Sequence, residues 1–206
     1  MSRYNNISRL YKFIELLMEG SAFSQWRMDL LNQVRGNSIL EVGVGTGLNL
    51  QYYQKAGFVD KEIICIDISH GMLQFAERRM KDTHINIKLH LMDLQNMDFP
   101  DSYFDTVIGT CVLCSVSDHL KGLREISRVL RPEGRLLLIE HVLSYRPILS
   151  SMMKRTGPII ARLTGENIHR ETVKDIRAAG FKVLEEKDLY LDIVKMINAV
   201  PDIRGD

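Results

Sequence analysis

The sequence predicts an α/β fold, a doubly wound and mostly parallel seven-stranded sheet with helices on both faces. Short apolar segments alternate with helical patterns from Ser38 onward. This alternation is typical of parallel sheets whose strands are joined by helices. The first apolar segment, 39–42, runs into a turn with Gly43, Gly45 and Gly47, and a helical pattern begins at Leu48. Such a turn between strand and helix is where these sheets hold nucleotide-like ligands.

The elements follow from the hydrophobic pattern. The predicted strands are 38–42, 62–67, 85–91, 104–110, 135–141, 181–189 and 191–199. The predicted helices of this part of the chain are 48–56, 71–81, 118–130 and 171–179. The third of these ends at Arg131-Pro132-Glu133-Gly134, a sequence that stops a helix.

The residues before the first strand predict a helical lid. Apolar side chains recur at steps of three and four through residues 3–34, with a break at Gly20 and Ser21. After the fifth strand, residues 144–170 form an amphipathic insert with five bases and one acid, Glu166. The chain is therefore expected to carry apolar and basic surface next to the sheet.

Composition limits the classes of function. The 206 residues suit one domain, and 27 Lys and Arg against 26 Asp and Glu leave a net charge of +1. A balance this even gives no field to attract nucleic acid, so no nucleic-acid partner is expected. Three cysteines and an N-terminus without an apolar run favour a reducing, cytoplasmic setting.

The spacing of the glycine turn separates possible ligands. The dinucleotide fingerprint places a small third residue where Leu48 stands, and a phosphate-binding P-loop has Lys followed by Ser or Thr after its glycines. No Lys or Arg lies between Ile39 and Gln54. A ligand with an adenosine and no phosphates fits this turn better than a nicotinamide dinucleotide.

Five motifs in order resemble the class I S-adenosylmethionine (SAM) dependent methyltransferases. Glu41-Val42-Gly43-Val44-Gly45-Thr46-Gly47 resembles the first motif of that family. Similar motifs follow at 63–67, 91–93, 104–110 and 124–134, so that the resemblance covers about residues 36–200. It implies a Rossmann-like methyltransferase fold, an enzyme, and SAM as cofactor with S-adenosylhomocysteine as product.

The resemblance also implies a donor site. The glycine turn and Glu41 would hold the amino-acid end of SAM, Asp67 would accept hydrogen bonds from the ribose, and Asp93 would accept one from the adenine amino group. The expected cofactor-binding residues are Glu41, Gly43, Gly45, Gly47, Asp67, Ile68, Met72, Asp93, Leu94, Thr110 and Cys111.

Each of these assignments has a structural alternative. Asp67 is also placed to cap the next helix, as is Ser69. Ile68 and Met72 fit an apolar core as well as an adenine site, and Asp93 fits a solvated loop. We favour the binding roles because the motifs occur together.

The sequence identifies the residues that would bind the methyl acceptor less clearly than those that would bind SAM. His141 ends the fifth strand and is either the catalytic base or a structural histidine. Tyr4, Tyr11, His169 and Arg170 are candidate acceptor-binding residues, and core packing or helix capping explains them equally well.

Cys111 and Cys114 form a C-x-x-C pair that invites a metal or redox interpretation. A zinc site needs about four ligands, and no second C-x-x-C or paired histidines accompany this pair. We expect inert cysteines and no metal.

Finer similarity points to the branch with ubiquinone/menaquinone C-methyltransferases, phospholipid N-methyltransferases and thiol S-methyltransferases. Residues 111–116, 140–142 and 164–172 resemble the thiol and phospholipid enzymes, whereas Asn5 and Lys12 depart from the Tyr-Asp pairs of the quinone enzymes. The expected acceptor is a small or lipid-like molecule: a phospholipid amine, a thiol or a quinol. The amphipathic insert suits an apolar acceptor or brief contact with a membrane surface.

The predicted organisation is a single methyltransferase domain that is a monomer or homodimer. It comprises a lid at 1–35, a SAM-binding core at 36–143, the acceptor-side insert at 144–170 and a C-terminal helix with two strands at 171–206. Two other classes stay open at this point: a SAM-binding protein with a regulatory role, and a nucleotide-dependent oxidoreductase, which Leu48 disfavours.

Overall fold

The computed structural model describes residues 21–164 and 170–202. Its elements, in chain order, are α1 (Ser21–Leu31), β1 (Ser38–Val42), α2 (Leu50–Tyr53), β2 (Glu62–Asp67), α3 (His70–Met80), β3 (Ile87–Leu91), β4 (Phe104–Thr110), a 3-10 turn (Leu113–Ser115), α4 (His119–Val129), β5 (Leu130–His141), α5 (Pro147–Thr164), α6 (Thr172–Ala178), β6 (Phe181–Tyr190) and β7 (Val194–Pro201).

The seven strands form one sheet in the order β3-β2-β1-β4-β5-β7-β6. Neighbours among β1 to β5 pair in parallel, and β7 pairs antiparallel with both β5 and β6. The predicted doubly wound, mostly parallel sheet is confirmed. The strand order reverses between β1 and β4, and the crevice beyond the carboxyl ends of strands at such a point is where open α/β sheets bind ligands.

Two apolar clusters cover the two faces of this sheet. Leu136 and Leu138 of β5 pack in one cluster with residues of α4 and α6, such as Ile126. The intervening Leu137 and Ile139 pack in the other with α1 and α2. Side chains alternate between faces along a strand, so a continuous apolar run such as 136–139 is what a strand buried on both faces requires.

Two predicted elements differ at their ends because turns replace regular structure. The predicted helix at 48–56 is helical only over Leu50–Tyr53. On either side of it the backbone forms turns with hydrogen bonds between residues three apart: Leu50 N donates to Gly47 O at 3.2 Å, and Gly57 N donates to Gln54 O at 3.1 Å. The last strand begins at Val194 instead of residue 191, because Leu191 has a φ of 48° and the chain turns there.

Two further boundaries depend on strand pairing. β3 begins at Ile87, not residue 85, because its ladder with β2 starts at the pair Ile63 and Ile87. β5 begins at Leu130, not residue 135, because Leu130 already pairs with Phe104 and the residues up to Arg135 are accommodated by a register shift.

The acceptor-side insert contains a helix, α5, that the sequence analysis left without assignment. Asp192 holds the segment that leads into this helix: its Oδ2 accepts from the Ser144 hydroxyl at 2.6 Å and from Tyr145 N at 2.8 Å. Among residues 21–164 and 170–202, no helix is long and apolar enough to cross a membrane.

Candidate functional site

The glycine turn after β1 has three left-handed residues, with φ of 62° at Gly43, 57° at Gly45 and 84° at Gly47. A Cβ at Gly43 would lie 2.2 Å from the Cγ2 atom of Val112, and one at Gly47 would lie 3.0 Å from the Cα of Ala76. These two glycines are needed for close packing. Among the described residues, a Cβ at Gly45 would meet nothing but the Gly43 carbonyl oxygen, at 3.9 Å, so this part of the chain leaves open space at Gly45.

Asp67 lies at the end of β2 and reaches across to this turn. Its Oδ2 accepts from Gly45 N at 2.9 Å, and its Oδ1 accepts from Ser69 N at 2.8 Å. Burial raises the pKa of Asp67, and the two backbone hydrogen bonds oppose that rise. The N-cap of α3 is Ser69, whose side chain accepts from Met72 N. The alternative in which Asp67 itself caps the helix is therefore wrong.

The other predicted adenine-side residues are divided between surface and core. Ile68, beside Asp67, is 53% exposed, whereas Met72 and Leu94 are buried. Asp93 is half-buried and accepts from Gln95 N at 2.8 Å and from Gln95 Nε2 at 3.0 Å. Ile68 is thus the apolar side chain next to Asp67 that a ligand can reach, and binding roles for Met72 and Leu94 stay predictions.

Glu41 is buried beneath the turn with both carboxylate oxygens bonded. Asn49 Nδ2 donates to its Oε1 at 2.8 Å, and the Tyr53 hydroxyl donates to its Oε2. The Cys65 thiol also contacts Oε2, at 3.8 Å. Burial raises the pKa of Glu41 to about 7, although these hydrogen bonds and Arg27 lower it. Glu41 therefore ties α2 to β1 and β2, and its predicted contact with a ligand's amino-acid end stays a prediction.

Asn49 is a site residue that sequence reasoning missed. It is 1% exposed, donates to Thr110 Oγ1 at 3.2 Å as well as to Glu41, and accepts from Arg27 Nη1 at 2.6 Å. It thereby connects α1, β1 and β4 in one buried network. The available signal was the spacing of Asn49 and Tyr53, four residues apart and so on one side of a helical turn.

Thr110 is the last residue of β4, and Cys111 follows it. Cys111 N donates to Ile139 O at 2.7 Å, and Cys111 has a φ of 53°, in the left-handed region that side chains other than glycine rarely adopt. The chain then enters the 3-10 turn, where Cys114 is buried. Among the described residues, no group of three or more His, Cys, Asp and Glu is placed to hold a metal ion.

Glu140, at the end of β5, is a second fully buried carboxylate that sequence reasoning did not assign to the site. Its Oε1 accepts from Val112 N and from Leu113 N, both at 2.9 Å. Its Oε2 has no hydrogen-bond partner in the described part of the chain. Burial raises the pKa of Glu140 to about 7, and the backbone hydrogen bonds and Arg170 oppose the rise.

Of the remaining acceptor-side candidates, the structure describes His141 and Arg170. Burial lowers the pKa of His141, and its Nδ1 has no hydrogen-bond partner among the described residues. Arg170 donates to Leu113 O at 2.6 Å and to Val116 O at 2.7 Å, so it binds the loop after β4. Tyr4, Tyr11 and His169 lie outside the described residues.

The fold and this geometry define a class: a doubly wound α/β protein with a glycine turn and the Asp67 carboxylate at the topological switch point of its sheet. Comparison with known proteins then gives the family. Residues 40–138 match the methyltransferase domain family. A thiol S-methyltransferase of Rattus norvegicus is 32% identical over 183 residues, which is 86% of this chain and 72% of that protein.

A ubiquinone/menaquinone biosynthesis C-methyltransferase of Vibrio campbellii is 29% identical over 156 residues, 73% of this chain. The match spans 59% of that relative's length. The crystal structure of an S-adenosylmethionine dependent methyltransferase from Mesorhizobium loti shares the fold, with a TM-score of 0.68 and 20% identity over 88% of this chain and 99% of that one. The chain belongs to the family of S-adenosylmethionine-dependent methyltransferases.

Proposed function

We propose that the protein transfers a methyl group from SAM to a small or lipid-like acceptor with an apolar portion. The main observation in support of SAM binding is the open space at Gly45, directly beside the Asp67 carboxylate. A side chain at residue 45 would occupy that space, whereas the glycine leaves it to a ligand.

The residues at this point fit the donor. Asp67 is placed for the ribose hydroxyls, the turn at 43–47 for the amino-acid end, and the exposed Ile68 with Asp93 for the adenine. Thr110, at the end of β4, and Cys111 line the proposed SAM site on its remaining side. When bound, SAM supplies an electrophilic methyl group on a positively charged sulfur.

An exposed apolar surface at the start of the insert supports the acceptor half. Tyr145, just before α5, and Ile148 and Met152, within it, are 69%, 81% and 59% exposed and recur at steps of three and four. The bases Arg146, Lys154 and Arg155 of the same segment are also exposed. This surface suits an acceptor with an apolar tail, and the bases suit contact with an anionic lipid surface.

His141 is the residue of this chain proposed to move a proton. Burial lowers the pKa of His141 and so favours the neutral imidazole, in which one ring nitrogen can accept the proton of an acceptor such as a thiol. The acceptor's lone pair then forms the new bond to the methyl carbon as the methyl–sulfur bond breaks. The protein's further task is to hold the two reactants in line, which by itself supplies several kcal/mol.

Among acceptors we favour a thiol with an apolar tail. The thiol S-methyltransferase relative covers more of this chain than the quinone C-methyltransferase does. Asn5 and Lys12 also depart from the pattern of the quinone enzymes.

Calorimetric titration with SAM and with S-adenosylhomocysteine tests the donor half. We expect micromolar binding and no competition by NAD; failure of both to bind to the folded protein would overturn the proposal. Methyl transfer from labelled SAM to an alkyl thiol, a quinol or phosphatidylethanolamine then tests the acceptor. Donor binding without transfer to any of these would favour the regulatory alternative.

A further inference from the structure

The loop after β4, residues 111–116, has a conformation that the chain alone does not favour. Cys111 is left-handed, and a residue with a Cβ adopts this conformation at a cost in free energy. Such a conformation persists when surrounding contacts determine it. Two side chains from distant parts of the sequence supply those contacts.

Glu140 holds the amino end of the loop. The N–H groups of Val112 and Leu113, at the start of the 3-10 turn, both donate to the same carboxylate oxygen of Glu140. The side chain is 0% exposed. Hydrogen bonds from backbone N–H groups to a buried carboxylate are strong, and leaving those donors without a partner is costly.

Arg170 holds the carboxyl end. Its two terminal nitrogens donate to the carbonyl oxygens of Leu113 and Val116, and its own carbonyl accepts from Leu143 N at 2.9 Å. Arg170 is the last residue of the acceptor-side insert, whereas Glu140 and Leu143 lie just before its first residue, Ser144. The two ends of the insert therefore meet at this loop.

The loop in turn packs on the donor site. Val112 lies against Gly43, so closely that a Cβ on that glycine would be 2.2 Å from a Val112 methyl. A shift of Val112 therefore changes the packing of the glycine turn, whose next glycine, Gly45, borders the open space.

We propose that Glu140 and Arg170 are positioning residues that fix the loop 111–116, and that through Val112 this loop holds the glycine turn in the conformation that binds the methyl donor. The acceptor-side insert is thereby connected mechanically to the donor site. This inference rests on the proposed function for its ligand, and the position of the loop is measurable without one.

The first experiment compares E140L, E140Q and R170M with the wild type. Leucine leaves the two N–H groups without an acceptor, glutamine keeps one carbonyl oxygen for them, and R170M removes both donors to the loop. Matched controls are E133Q, an exposed glutamate on the same strand, and R177M, an exposed arginine on α6. S-Adenosylhomocysteine is titrated calorimetrically after thermal unfolding shows that each variant is folded.

We expect E140L and R170M each to weaken S-adenosylhomocysteine binding about tenfold or more, with E140Q and both controls within about threefold of the wild type. The double variant E140L/R170M should lose less than the sum of the two in free energy, because both side chains hold the same loop. Folded E140L and R170M variants with wild-type affinity would overturn the inference.

Hydrogen exchange of the apo protein separates the two proposals. We expect the Val112 and Leu113 amides to be protected in the wild type and to lose protection in E140L while the amides of β4 and β5 keep theirs. R170M gives a second measurement of the loop if E140L does not fold. If the wild type binds neither SAM nor S-adenosylhomocysteine, the proposed function fails whatever the exchange shows. If the wild type binds and the two amides are unprotected or unchanged by E140L, only the positioning role fails.

Discussion

Two buried glutamates at the same edge of the sheet are satisfied in different ways. Glu41, at the end of β1, has both oxygens bonded by the side chains of Asn49 and Tyr53. Glu140, at the end of β5, binds two backbone N–H groups with one oxygen, and its other oxygen has no partner among the described residues. Burial raises the pKa of each to about 7.

The difference lies in the partners of the two carboxylates. On the donor side, side chains satisfy both carboxylate oxygens of Glu41, although Arg27 Nε in the same network has no hydrogen-bond partner among the described residues. On the acceptor side, His141 Nδ1 and Arg170 Nε also have no hydrogen-bond partner in the described part of the chain.

We expect the largest effect from Gly45→Arg, which should abolish binding at the donor site. The larger side chain enters the open space beside Asp67 and must adopt a φ of 57°. We expect the affinity for S-adenosylhomocysteine to fall at least a hundredfold, measured by calorimetry. Gly57→Ala is the control, because Gly57 is also left-handed and a Cβ there would meet no atom of the described residues within 4 Å. Unchanged affinity in Gly45→Arg would refute the donor-site assignment.

The acceptor side is tested by His141→Ala. If His141 takes the acceptor proton, kcat with the acceptor found should fall roughly a hundredfold, the lower range for a lost general base. The affinity for SAM should change little, because His141 is not among the predicted donor contacts. Normal turnover would return His141 to a structural role.

Replacing each glutamate with glutamine tests how differently the two carboxylates are hydrogen-bonded. At Glu41 the new amide must replace an oxygen that accepts a hydrogen bond, whereas at Glu140 it can replace the oxygen without a partner. We expect E41Q to lower the free energy of unfolding by about 1–3 kcal/mol and E140Q by less than about 1 kcal/mol. Denaturant unfolding measures both, and an equal or reversed order would contradict the comparison.

The raised pKa values predict a pH dependence of stability. Burial raises the pKa of each glutamate from its ordinary value of 4.5 to about 7 in the folded protein, so the folded state holds more protons between these values. Stability is then fully present below about pH 4.5 and is lost as pH rises to about 7. Each group contributes at most about 1.4 kcal/mol per pH unit. Thermal unfolding across this range should show a shallower slope in E41Q and in E140Q; slopes equal to that of the wild type would mean that neither group titrates there.

The smallest effect is expected at the exposed surface of α5. Ile148→Ser together with Met152→Ser should weaken binding to vesicles of phosphatidylserine and phosphatidylcholine about three- to tenfold, because apolar area available for insertion is lost. Val59→Ser, at an exposed apolar residue remote in sequence, is the control. Co-sedimentation measures the binding, and no binding by the wild type would remove the lipid-surface part of the proposal.

The sequence by itself determined the order of the strands and of the helices between them except α5, the parallel sheet and the position of the glycine turn. These are local properties, because hydrophobic periodicity and glycine spacing act over a few residues. The same reasoning missed the start of β5, since Leu130 becomes strand only by pairing with Phe104.

Only the tertiary structure decided how the polar groups pair. Asn49 connects Arg27, Glu41 and Thr110, and Glu140 meets the amides of residues 112 and 113, 28 and 27 positions away. Likewise Ser69, not Asp67, caps α3, which leaves Asp67 bonded to the glycine turn. Such partners are separated along the chain and meet because the parallel strands end at one edge of the sheet, so no local pattern specifies them.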